Sequence, residues 1–223
     1  MIRPGEPWGS PTSAPADIEV SGDDAALAAA ARLVPGALLR FVPDPTSDLA
    51  RAVGIPPGGV EGTAGTALPM DALSVTVSPP ADPIFACNMC VFGAAPDRLR
   101  WSSPSFEVEI ELDGRTWFSG RATTIIVATG QFLRGLDVVP RGHPGDGKAE
   151  IHVYELTRRE RRLMRARIAT GAHLPHPRIR SRTAARVELS APRPPALEVD
   201  GVSGPTSART TLEVVPGAYR LLL

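Results

Sequence analysis

The sequence predicts an α/β plus β fold, a reduced α/β layer followed by an antiparallel β-sandwich, on three observations. Helical spacing of Ala and Leu marks residues 23–33 and 45–53, each preceded by a short apolar run. From residue 67 onward the apolar period switches to two, the spacing of half-buried strands. The 24 Pro and 21 Gly among 223 residues supply the turns that many short strands require.

Residues 1–16 lack periodicity and read as an irregular tail. In residues 17–75 a strand at 17–20 leads into helix 23–33, where Ser21 is the expected N-cap and Asp23 and Asp24 favour the positive end of the helix dipole. Strand 37–42 and helix 45–53 repeat the unit, with Pro45 at the helix start and Gly54 at its end. PPGGVEGTAGT, 56–66, reads as a linker or lid. Residues 76–223 form the sandwich, with strands expected at 67–77 (crossing the boundary), 83–92, 105–112, 115–120, 121–129, 148–156, 183–190, 195–200, 209–215 and 217–223. Asp113-Gly114 between two alternating runs is the clearest hairpin signal. TRRERRLMRARIAT, 157–170, is a helix with Thr157 and Glu160 as a capping box and Gly171 as its stop.

An apolar content of 43% supports a packed core, and no apolar run approaches the ~20 residues of a membrane helix. With no charged-then-apolar leader, a cytoplasmic protein is expected, with peripheral membrane association as the variant. The net charge is zero but polarised. Residues 1–120 carry 7 Arg against 15 acidic residues, whereas residues 121–223 carry 17 Lys and Arg against 9. That asymmetry favours an anionic partner for the second half. The six arginines of helix 157–170 suit an anionic lipid surface, and equally a solvated helix bridging two strands. No nucleic-acid-binding motif accompanies them.

Cys87 and Cys90 spell C-x-x-C, but within an apolar strand they read as two buried thiols pointing to opposite faces. His173 and His176 lack a neighbouring carboxylate or Cys, so no metal site is expected. The loop Arg141-Gly142-His143-Pro144-Gly145-Asp146-Gly147 displays three polar groups on a backbone constrained by Gly and Pro. On strand 148–156, alternation sets Lys148, Glu150, His152 and Tyr154 on one face, read as solvent-facing for His152 and Tyr154.

Several segments resemble the diacylglycerol kinase and sphingosine kinase family. VATGQFLRGLDVVPRGHPGDGKAEI, 127–151, is similar to its substrate-side loop, with Asp146-Gly147-Lys148-Ala149-Glu150 for Asp-Gly-x-Leu-Asp. GAHLPHPRI, 171–179, and LEVDG, 197–201, resemble downstream family segments. SGDDA, 21–25, resembles the Gly-Gly-Asp-Gly-Thr nucleotide loop, and PTSDLAR, 45–51, the Gly-Thr-x-Asn-Asp-Leu-Ala-Arg motif, with Pro45 and Ser47 standing for Gly and Asn.

The resemblance implies a Rossmann-like layer beside a sandwich, a lipid or phosphorylated ligand between them, and ATP with Mg²⁺ as cofactors. It implies Glu150 as general base and Asp146 in support. Ser21, Gly22, Asp23, Asp24, Thr46, Ser47 and Asp48 would form a degenerate nucleotide loop, and Arg134, Arg141 and His143 the phosphate or substrate cleft. Ser21 and Asp24 replace two of the loop's family residues, and a carboxylate beside a phosphate repels it, so weak Mg-ATP binding is expected. Asp200-Gly201-Val202 reads as a plain hairpin turn, the family Glu being Val202. Only about 20 residues precede the first loop and the span 17–75 can supply only two or three sheet strands, which leaves a homodimer or partner chain to complete the layer. Two classes stay open: an ATP-dependent lipid kinase and a non-catalytic lipid- or membrane-binding protein.

Overall fold

The computed structural model describes residues 8–60, 65–79 and 82–223. Residues 1–7 of the expected tail and 61–64 of the expected linker lie outside the described residues. The fold is the expected α/β layer beside an antiparallel β-sandwich. In the α/β layer, strand Ile18–Gly22 pairs in parallel with Leu38–Pro43, and helix α1 (Asp24–Leu33) connects them. Asp23, rather than Ser21, caps α1, its carboxylate accepting from the Ala26 N–H at 2.9 Å. Helix α2 (Asp48–Val53) is capped by Ser47 and stops at Gly54, whose φ of 78° is the left-handed conformation glycine adopts without strain. Leu27, Ala31, Phe41, Leu49 and Tyr219 form the core of this layer.

Two long antiparallel strands, Gly65–Val77 and Arg209–Leu222, join the layer to the sandwich. The first half of Arg209–Leu222 pairs with Arg186–Ser190, and its end pairs in parallel with Leu38–Pro43. One nine-stranded sheet therefore runs through both parts of the molecule. Ser10–Thr12, within the expected irregular tail, adds to its edge by pairing with Gly65–Ala67.

The facing six-stranded sheet runs Ile179–Ala184, Ala149–Tyr154, Thr124–Ala128, Met89–Gly93, Leu197–Val199 and Val202–Ser203. Phe92, Ile110, Phe118, Ile125, Val127, Ile151, Val153, Val187 and Leu212 fill the space between the sheets. Each such side chain contributes roughly 1.5–3 kcal/mol on burial. The expected single strand 83–92 is two, Ile84–Ala86 and Met89–Gly93, which belong to different sheets. Cys87 and Cys90 are both buried free thiols, and they pack into different cores.

The outer face of the six-stranded sheet is covered, which corrects the solvent-facing reading of His152 and Tyr154. Helix α3 (Arg158–Ala169) lays Met164 and Ile168 on it, beside Leu133, Val138 and Val139 of the preceding loop. His152 is 3% exposed and Tyr154 fully buried. Alternation reported the face correctly but could not report a cover that arrives from other parts of the chain.

Candidate functional site

The first candidate site is a cleft of about 170 Å³ between the two parts, lined by Asp23, Asp24, Thr46 and Asp48 on one side and Asn88, Arg98, Arg134 and Asp200 on the other. Four of the seven expected nucleotide-loop residues thus share it. Ser21 and Gly22 end the strand Ile18–Gly22, and Ser47 is buried at the start of α2.

Asp24 determines what this cleft presents. Its carboxylate accepts the Ser47 hydroxyl at 2.5 Å and the N–H groups of Asp48 and Leu49 at 3.2 and 3.1 Å. These are the free donors of a helix N-terminus, where a ligand anion would otherwise bind. Burial pushes Asp24 up to about 6, with its hydrogen bonds opposing the rise and the charge of Asp48 adding to it. Asp48 points the other way and holds the Arg134-Gly135 turn, accepting from both N–H groups, that of Gly135 at 2.6 Å. Both turn residues have positive φ, 50° and 77°, so the carboxylate secures a backbone path that Arg134 itself disfavours.

Arg134 is fully engaged. Its guanidinium meets Asp97 at 2.7 and 2.8 Å and Glu198 at 2.5 Å. Asp97 is held below its ordinary range by Arg134, against the effect of burial. Among the described residues no hydrogen bond or ion pair joins Arg134 to Arg141, His143, Asp146 or Glu150. Across the cleft, Asp200 accepts from the N–H groups of Cys87, Asn88 and Met89 at 2.7, 3.0 and 2.9 Å. The turn Asp200-Gly201 is the expected hairpin, but its carboxylate also organises the corner where strand 83–92 breaks. Burial and the charge of Asp24 push Asp200 up to about 7, while those N–H groups oppose the shift.

The second candidate site is the loop 141–147 with strand Ala149–Tyr154. Glu150 is 14% exposed in its side chain, and its Oε2 lies 3.9 Å from Nε2 of His152. Burial raises the Glu150 carboxyl; the charge of Arg141 opposes the rise and that of Asp146 adds to it. His152 is pushed down to about 4 by burial, then by His173 and Arg141, so it is neutral in the physiological range. Asp146 accepts from the N–H of Lys148 at 3.0 Å and so closes its own turn. His143 packs against Trp8 in a tilted ring contact, centroids 4.6 Å apart, and accepts from the Gly145 N–H.

Sequence reasoning passed over Asp71, which organises this loop from beneath. Fully buried on Gly65–Val77, it accepts from Gly147 at 2.6 Å and from Gly217 at 2.9 Å, and its own N–H donates to the Pro144 carbonyl at 2.7 Å. Its sequence signal is a lone Asp inside an apolar strand, LPMDALSV. No group of three or more His, Cys, Asp or Glu among the described residues is arranged to hold a metal ion. With Asp24 holding the first-turn donors of α2, that helix end does not fit an ATP phosphate in the manner the resemblance implies.

The description "YegS C-terminal NAD kinase beta sandwich-like domain" matches residues 92–223. Among solved structures, a diacylglycerol kinase from Bacillus anthracis str. Sterne is similar with a TM-score of 0.70 at 18% identity, over 92% of this chain and 76% of that one. An NAD kinase from Archaeoglobus fulgidus in complex with ATP gives 0.52 at 12% identity, over 94% and 81%. Yeast NADH kinase complexed with NADH gives 0.55 at 10%, over 92% and 61%. These likenesses concern the fold. No curated protein matches the sequence.

Proposed function

The chain belongs to the YegS C-terminal NAD kinase β-sandwich-like family, and from that premise we propose that it is a lipid kinase-like protein that binds a lipid or phosphorylated small molecule without a working ATP-phosphate cradle. The observation that carries this reading is Asp24, whose carboxylate occupies the donors at the start of α2. A phosphate placed there would meet a fixed negative charge, or would have to displace three hydrogen bonds. The ligand side is better kept. Arg141 supplies a cation near Glu150, and the loop bearing Arg141 is tied to the core through Asp71 and Trp8.

A second reading, transfer of a phosphoryl group to a hydroxyl, is favoured by one observation: Glu150 is shielded, raised by burial and near Arg141, the setting of a general base that takes a hydroxyl proton. Calorimetric titration with Mg-ATP separates the two. The binding-protein reading expects no saturable heat below millimolar nucleotide. Micromolar affinity that survives Glu150→Gln would overturn it. Asp24→Gly with Ser21→Gly, checked for an intact melting transition, should raise affinity if the carboxylate is what excludes the phosphate.

A further inference from the structure

Trp101 and Leu163 are 62% and 58% exposed, among the most exposed large apolar side chains described. They border one surface hollow of about 410 Å³, and the other residues lining it are Arg158, Arg159 and Arg162. Two apolar groups beside three cations, with no carboxylate in the lining, form a surface with a defined chemical complement. We propose that this hollow is where the protein docks on an anionic lipid bilayer, Trp101 and Leu163 entering the headgroup boundary while the arginines meet the phosphates. The inference does not depend on nucleotide binding or on the occupant of the cleft.

The way the patch is built supports the assignment. Arg161, alone among the six arginines of α3, is buried. Its guanidinium donates to the carbonyls of Trp101 and Ser103 and to Ser105 Oγ, the first at 3.3 Å and the last at 2.9 Å. That fastens the segment bearing Trp101 to the helix bearing Leu163 through backbone carbonyls, leaving the Trp101 side chain free to project. Arg158 lies over the indole at 5.3 Å, an arrangement that keeps a cation beside the aromatic ring at the lipid-water boundary. Met164 and Ile168, on the opposite side of α3, hold the helix to the sheet, so docking requires no rearrangement of the fold. Tryptophan contributes a large apolar area at such a boundary, and each nearby cation adds attraction that salt weakens.

The test is co-sedimentation with phosphatidylglycerol vesicles and with phosphatidylcholine vesicles, at low and high salt. Binding is expected to the anionic vesicles only and to fall steeply as salt rises. Trp101→Ser with Leu163→Ser should weaken it by roughly tenfold or more, since burying those side chains is the apolar share of the binding. Arg158→Gln with Arg162→Gln should remove most of its salt dependence. Both variants should melt at the wild-type temperature, because neither replaces Arg161, Met164 or Ile168 and the Trp101 carbonyl that Arg161 uses is main chain. No sedimentation with anionic vesicles at low salt would overturn the proposal. So would equal binding to both lipids, unchanged binding by the Trp101→Ser/Leu163→Ser variant, saturable binding of an RNA oligomer that the vesicles cannot displace, or light scattering that shows the patch buried in a dimer.

Discussion

Asp24 and Ser47, on consecutive strand-helix units, are joined by a 2.5 Å hydrogen bond from the Ser47 hydroxyl to the Asp24 carboxylate. Ser47 caps its own helix at the same time, accepting from the Ala50 N–H at 3.0 Å. One carboxylate and one hydroxyl thus satisfy the entire first turn of α2 from inside the protein. Ser47→Ala removes both bonds from a buried site and is expected to destabilise the fold by about 1–3 kcal/mol in a denaturant melt. A loss of only a few tenths would mean that water or another side chain already satisfies α2.

The pH dependence of stability has a defined shape. Asp24, near 6, and Asp200, near 7, sit above the ordinary 3.8, so the folded protein takes up protons that the unfolded chain does not, and stability rises as pH falls through 7 and then 6. His152, near 4 against an ordinary 6.5, acts in reverse, since the unfolded chain takes the proton and stability is lost as pH falls below 6.5. The melting temperature should therefore climb from about pH 7.5 down to about pH 5, because two raised carboxylates outweigh one lowered imidazole, with Asp200 leading first, Asp24 adding below about pH 6 and His152 reducing the slope throughout. Asp200→Asn should abolish the climb. His152→Gln should steepen it between about pH 6.5 and pH 5, and a profile identical to wild type in both variants would refute the assignment.

Asp71 ties the loop at Gly147 to the strand break at Gly217. Asp71→Ala would leave the buried Gly147 N–H without a partner and release the N–H of exposed Gly217, and a loss of about 1–3 kcal/mol is expected. Hydrogen exchange should speed up at both Gly147 and Gly217 in the variant. Acceleration at one alone would show that the two are not held together.

Gly142 passes so close to Gly130 that a Cβ on it would lie 2.0 Å from the Gly130 carbonyl oxygen. The obstacle is backbone, which cannot swing aside as a side chain does. Gly142→Ala should cost about 1–3 kcal/mol and disturb the Arg141 and Glu150 region specifically. A variant as stable as wild type would mean that the loop is free to move.

Much of the fold was legible because it is local. FEVEIEL alternates strictly, and Asp113-Gly114 supplies the two positive φ angles, 49° and 77°, that a tight hairpin needs. Thr157 and Glu160 form their capping box as read, with Glu160 accepting from the Thr157 N–H at 2.8 Å. What stayed hidden depends on distant partners. IFACNMCVFG is apolar on both faces, so its periodicity could not show the corner that Asp200 imposes from over a hundred residues away. Asp24 read as a first-turn acid of α1, and nothing local announced that it reaches the next helix. Arg134 stood in a loop rich in cations, and its partners Asp97 and Glu198 come from remote segments.

The strand Arg209–Leu222 bears on how the molecule can move. It is hydrogen-bonded along Gly65–Val77 through both the sandwich and the α/β layer, with its register interrupted between Val215 and Tyr219. A hinge needs a flexible connection, and here the connection is a pair of strands inside the nine-stranded sheet. Rigid-body closure over the cleft is therefore restricted to bending at that interruption, which Asp71 clamps through Gly217. A ligand entering the cleft would be admitted by the Arg134-Gly135 and Asp200-Gly201 turns shifting separately, so its arrival should be felt in those two turns and scarcely in the spacing of the two halves.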